Sequence, residues 1–225
     1  MAVLISSRRS PPASFAFGVS RSGFYANLTT IAPDPARQMK FHPTTLNDCW
    51  LIEWELVQDE RGSFARTFCA REFSARGLQT SFPQHSASRT VQRGTVRGMH
   101  FQRDPHSEAK LVRCVRGRIW DAVVDMRSNS PTFGRWQGFE LSAENGSQLY
   151  IPNGFAHGYQ PLTDDVEVSY LISNFYVPEA AFGIRHDDPT VQIAWPLPIS
   201  VISEKDRSWP DLPTRRSADV GKINE

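Results

Sequence analysis

From Met39 onward, apolar side chains come in short runs, several with alternating polarity, broken repeatedly by Gly, Pro, Asn and Asp. The clearest are KLVRCV (110–115), RIWDAVVDM (118–126), WQGFELS (136–142), QLYIP (148–152) and VEVSYLI (166–172). A two-residue period sends successive side chains to opposite faces, so these segments predict strands of an all-β barrel or sandwich. In the last run Val166, Val168, Tyr170 and Ile172 share one parity, which turns Tyr170 towards the interior. There it is either a reactive group or a core tyrosine whose hydroxyl is satisfied by a neighbour. One helix is predicted, over CAREFSARG (69–77), with Phe73 and Leu78 on one side and Gly77 as its C-terminal cap.

Both ends break the pattern. Residues 1–38 hold four arginines, six serines and one acid, Asp34, and their apolar start, MAVLI, lacks the preceding charge and length of a secretory signal. They are expected to form a loosely ordered extension, with the domain running over 39–225. The stretch from Trp195 to Glu225 carries Pro196, Pro198, Pro210 and Pro213, and is expected to wrap the barrel before fraying at its polar end.

The 225 residues suffice for one domain with a full core. A net charge of +1 offers no broad basic surface, so neither nucleic acid nor an anionic membrane is the expected partner. No apolar run approaches the roughly 18 residues of a membrane helix. Cys49, Cys69 and Cys114 form no CxxC pair, which points to reduced thiols and a cytoplasmic protein.

Candidate chemistry concentrates in GTVRGMHFQRDPHSEAKLVRCVRGRIWDAVVD (94–125). Here His100 lies between two strand-like runs and Lys110 begins the second, with Arg97 three residues before the histidine. An imidazole near fixed cations can take a proton from carbon beside a carbonyl and leave the enolate a positive partner. Each residue also has a plainer reading: a hydrogen-bonded structural histidine, and a solvated strand-end lysine.

PNGFAHG (152–158), following a strand, suggests the double-stranded β-helix of the cupins, many of which bind metal. Only His100 and His157 remain as inward imidazoles, and Lys110 stands where a carboxylate would help. Two ligands beside an ammonium make a poor divalent site, so a metal-free cupin is expected rather than a metal-dependent oxygenase. His157 can instead serve its turn, Asp206 can cap a helix or fold back onto His100, and DERGSF (59–64) can be a charged hairpin turn.

The segments RGMHFQ, KLVRCVRGRIWDAVVDMR, SPTFGRW, ELSAENGSQLYIPNGFAHGY, YVPEA, GIRHDDPT and SEKD occur in this order. Together they resemble the dTDP-4-dehydrorhamnose 3,5-epimerases, the dTDP-sugar epimerases of the cupin fold, from about Met39 to Asp206. The resemblance implies a cofactor-free, homodimeric isomerase. Its substrate would be a nucleotide-linked 4-keto-6-deoxyhexose, inverted at C3, C5 or both, in deoxysugar (rhamnose-like) biosynthesis. By position it makes His100 the general base, Asp206 its partner and Tyr170 the acid on the opposite face. Lys110 and His157 would steady the enolate, and Arg97 and Arg61 would contact nucleotide or phosphate. Tyr176 would line the sugar pocket, and Phe64, Gln84 and Gln102 would also touch substrate. The DERGSF region would reach a neighbouring chain's site. A sugar-nucleotide binding cupin without turnover, or a 3-epimerase acting on a different nucleotide sugar, is the alternative. Arg66, Phe82 and Gln84 depart from the family's usual glutamate, glutamine and asparagine, on the side expected to read the base.

Overall fold

A computed structural model describes residues 38–212. The extension expected over 1–38 lies, except for Gln38, outside the described residues, as does the polar end of the tail. Thirteen strands and two short helices are described. The strands are β1 (Lys40–Pro43), β2 (Trp50–Glu53), β3 (Val57–Asp59), β4 (Gly62–Phe64), β5 (Gln84–Thr90), β6 (Arg97–Gln102) and β7 (Lys110–Arg116). They continue with β8 (Arg118–Asp125), β9 (Trp136–Ser142), β10 (Ser147–Ile151), β11 (Phe155–Pro161), β12 (Val166–Ile172) and β13 (Ala181–Gly183). The helices are α1 (Ala70–Ser74) and α2 (Glu204–Arg207), neither long enough to cross a membrane.

The architecture is the expected all-β one, built as two large antiparallel sheets and a separate β3–β4 hairpin rather than a closed barrel. A six-stranded sheet, ordered β1-β2-β10-β7-β12-β5, lies opposite a five-stranded sheet, β13-β6-β11-β8-β9. The main core fills the space between them, with Val112, Val166 and Val168 from one sheet meeting Ile119, Val123, Phe155 and Tyr159 from the other. The period-2 pattern decides which side chains share that interior. Cross-strand pairs project to one face, so the registers His157↔His100, His157↔Val123 and Tyr159↔Asp121 bring two histidines and an aspartate to the core side. Met99, Ala122, Val124 and Ala156 face the other way, onto Ile184, Val191 and Ile193 of the C-terminal segment.

That segment is tied down polar group by polar group. The buried Gln160 amide donates to the Leu197 carbonyl at 2.9 Å and accepts from the Leu197 N–H at 3.0 Å. Val96 pairs with Ile202, and the buried Asp188 carboxylate receives the N–H groups of Thr190, Val191 and Leu212. The tail therefore wraps the five-stranded sheet as expected and brings α2 back to β6. The helix α1 is shorter than predicted. Gly77, at φ +70°, turns the chain so that its N–H bonds the Ser74 carbonyl and the Leu78 N–H bonds that of Phe73, both at 3.0 Å.

Gly98 on β6 has φ +138°, and a Cβ there would stand 2.5 Å from the Gly158 Cα. Gly98→Ala is therefore expected to cost about 2 kcal/mol or more in a denaturant titration; wild-type stability would contradict the close approach. Asp125, at the end of β8, is fully buried and bonded by Arg127, Ser130 and Thr132. Burial pushes its carboxyl up, but those three partners prevail and hold it below the usual carboxylate value. Its stabilisation is thus complete above about pH 4 and fades as pH falls through its lowered value. The stability gap between wild type and Asp125→Asn should shrink on acidification; a gap that widened would contradict this.

Candidate active site

The first residues to meet are His100, from β6, and Asp206, from α2. His100 Nε2 lies 2.6 Å from Asp206 Oδ1, while the Gly98 N–H donates to Oδ2 at 3.2 Å and Ser203 caps the helix by accepting from the Asp206 N–H. The Asp206 side chain is 7% exposed and that of His100 46%, so a buried acceptor holds a ring still open to the cleft. Burial pushes the Asp206 carboxyl up, but the His100 imidazole, the Gly98 amide and Ser203 outweigh it and keep the group below the ordinary range. An ionised acceptor on Nε2 requires the proton there, which makes Nδ1 the bare, basic nitrogen.

The facing sheet supplies Lys110 and Tyr170, and β11, beside β6 in the sheet of His100, supplies His157. Lys110, the first residue of β7, forms a largely buried ion pair with Glu108 at 3.0 Å, and its ammonium is 3.4 Å from the His100 carbonyl. Tyr170, on β12, packs edge-on to the His157 ring with centroids 6.0 Å apart. Burial pushes the Tyr170 phenol well above its usual value, and Tyr159 and Asp121 add to the shift, so it keeps its proton at neutral pH. His157 is itself bonded through Nε2 to the fully buried Asp121 at 2.8 Å. Among the described residues, no group of three His, Cys, Asp or Glu side chains is placed to hold a metal ion.

These residues line one cleft with two lobes. The inner lobe, about 490 Å³, is walled by Ser86, Ser88, Arg97, His157, Tyr159 and Tyr170. The outer lobe, about 440 Å³, is walled by Gln84, Gln102, Tyr176, Phe182, Lys205 and Trp209. His100, Lys110, Arg97 and Asp206 border both. Each lobe is of the size that takes a small-molecule group, roughly 300–1,000 Å³.

Nine of the residues singled out in the sequence thus meet at this cleft: His100, Tyr170, Asp206, Lys110, Arg97, His157, Tyr176, Gln84 and Gln102. The Gln102 amide, however, is already spent on the His106 and Phe175 carbonyls, Glu108 and the Val177 N–H, and so braces the wall. Arg61 and Phe64 do not line the cleft of their own chain; they sit on the exposed β3–β4 hairpin, where Arg61 pairs with Asp59. Two of the departing positions also lie elsewhere. Arg66 pairs with Glu72, and Phe82 packs against Phe68 in the cluster under α1. Sequence reasoning missed Asp121, Glu108, Tyr159, Ser203 and Trp209. The only available signal was Asp121, an acid inside the apolar run RIWDAVVD on the parity of Ile119 and Val123.

A family model described as dTDP-4-dehydrorhamnose 3,5-epimerase matches residues 43–214. The epimerase of that name from Methanothermobacter thermautotrophicus is 45% identical over 178 residues, covering 78% of this chain and 95% of that protein. The crystal structure of the Elizabethkingia anophelis enzyme of the same name superposes with a TM-score of 0.74 at 41% identity, covering 77% of this chain and 96% of that one. A Legionella pneumophila dTDP-6-deoxy-D-glucose-3,5-epimerase, solved with dTDP-4-keto-L-rhamnose, matches at 0.74 and 37% identity over 80% and 96%. With this site and these relatives, the chain belongs to the dTDP-4-dehydrorhamnose 3,5-epimerase family and has its cupin fold.

Proposed function

We propose that this protein epimerises a dTDP-linked 4-keto-6-deoxyhexose at C3, C5 or both, without metal or cofactor, through an enolate. One observation carries the reading: a carboxylate-held imidazole on one sheet and a proton-bearing phenol on the sheet opposite it, with an ammonium beside the cleft.

Both C3 and C5 lie beside the 4-keto group, so either C–H is acidified once the carbonyl oxygen gains a positive partner. His100 Nδ1 takes the proton, and the C–H pair moves into the carbonyl to make the enolate. Lys110 stabilises the oxygen, helped by the Asp121-bonded His157. Tyr170 returns a proton to carbon from the other face, which inverts the centre, and before the next turn the His100 imidazolium gives up its proton and the tyrosinate regains one by exchange with solvent. Arg97, beside both lobes and braced on Thr90 and the Arg89 carbonyl, offers its remaining N–H groups to the pyrophosphate, and Tyr176 lines the sugar pocket from the outer lobe, with Gln84 beside it.

The protein and dTDP-4-keto-6-deoxyglucose in D₂O, followed by NMR, should lose the H3 and H5 signals; binding without washout from a folded sample would sink the reading in favour of a noncatalytic module. His100→Asn should slow exchange at both carbons by at least about 10²-fold. Tyr170→Phe should retain exchange and lose inversion. Full activity in His100→Asn would refute the base assignment.

The reading includes a cytoplasmic homodimer in which the β3–β4 hairpin reaches the partner's cleft. An isolated two-stranded hairpin is marginal in water, yet this one exposes Val57 at 42% and Phe64 at 67%. Light scattering should give twice the 25.4 kDa chain mass, and Arg61→Ala should raise KM more than it lowers kcat. A monomer with undiminished activity would contradict the arrangement.

A further inference from the structure

We infer that Trp209 is a positioning residue for the His100–Asp206 pair. The inference rests on His100 being the base. One short segment delivers two different contacts to the same imidazole: Asp206, in α2, accepts the hydrogen bond from its Nε2–H, and Trp209, three residues later, meets its ring edge-to-face with centroids 6.4 Å apart and planes at 71°.

The hydrogen bond alone fixes one point of the ring and leaves it free to tilt about that point. The indole is the second constraint. Its own place is defined on several sides. Gly183 of β13 is the cross-strand partner of His100, and a Cβ there would come within 2.6 Å of the indole Nε1 and Cε2. Cross-strand neighbours share a face, so the missing side chain opens a slot directly beside the imidazole. Phe182 packs against the indole at 5.5 Å, and the Lys205 ammonium lies 5.4 Å from the ring centre. The segment is pinned beyond Trp209 by the Arg185 N–H, which donates to the Pro210 carbonyl at 3.2 Å.

The indole Nε1 is buried and has no hydrogen-bond partner among the described residues. A buried donor left without an acceptor is unfavourable, so the site keeps the bicyclic ring for its shape and reach, not for a hydrogen bond. Displacing a catalytic group by about an ångström can cost up to about 10²-fold in rate. A tilted base should therefore show in kcat, over and above any change in KM from the outer-lobe wall that Trp209 also forms.

The test uses the full chain. In the D₂O exchange assay, Trp209→Ala should lower kcat about tenfold, independently of any rise in KM from the lost lobe wall, and Trp209→Phe should recover most of the kcat loss. Unchanged kcat in folded Trp209→Ala, or a loss confined to KM, overturns the inference. A second readout needs no turnover. An imidazolium in contact quenches indole emission, so the wild-type-minus-Trp209→Phe fluorescence should be weaker in acid than in base. The fall should vanish when the same subtraction is made in a His100→Asn background, which separates His100 from His186, Asp206 and Lys205 nearby. A flat difference signal in the parent background overturns the contact. If wild-type protein shows no exchange but the fluorescence titration is present, the epimerase reading fails and the positioning contact stands.

Discussion

Asp206 meets His100 across 106 residues of chain, and the rest of the site is arranged around what makes that meeting possible. A carboxylate so far along the chain reaches a strand residue only if the intervening tail is immobilised. The Gln160 amide, the Val96–Ile202 bridge and the Asp188 carboxylate perform that task, each satisfying backbone groups that would otherwise be buried unpaired. Once docked, the carboxylate fixes the imidazole's tautomer, and the tautomer decides which nitrogen is basic.

The two-sheet construction then supplies what a single surface could not. In the proposed reaction, taking a proton from one face of the sugar carbon and returning one to the other face of the planar enolate needs two groups separated by the substrate's thickness. His100 stands on β6 and Tyr170 on β12, in sheets packed over a common core, so the fold itself sets that separation. The same low-dielectric interior that raises the Tyr170 phenol keeps its proton available. Lys110 enters this apolar region as a charge-paired group held by Glu108, which fixes its ammonium in place.

Much of the fold could be read from the alternation of residues, because strands between Gly and Pro breaks leave a local signature. The parity of Val166, Val168 and Tyr170 placed that tyrosine correctly with no further information. Features that depend on register between strands left no such mark. Asp121 and His157 pair because Tyr159 sits opposite Asp121 and His157 opposite Val123, and one sequence contains no term for that alignment. The His100–Asp206 partnership became visible through matching motifs, not spacing. The closure of Gly183 over Trp209 was invisible, since a missing Cβ has meaning only once its neighbours are known. Arg66 and Phe82 looked like altered base readers in the sequence, yet their side chains serve the α1 cluster.

Asp206 holds His100 with its proton on Nε2 and Nδ1 bare. Long-range proton–nitrogen NMR of the neutral imidazole measures this directly. Nε2 should be protonated and Nδ1 unprotonated, averaging towards a tautomer mixture in Asp206→Ala. A proton found on Nδ1 in the wild-type protein would contradict it.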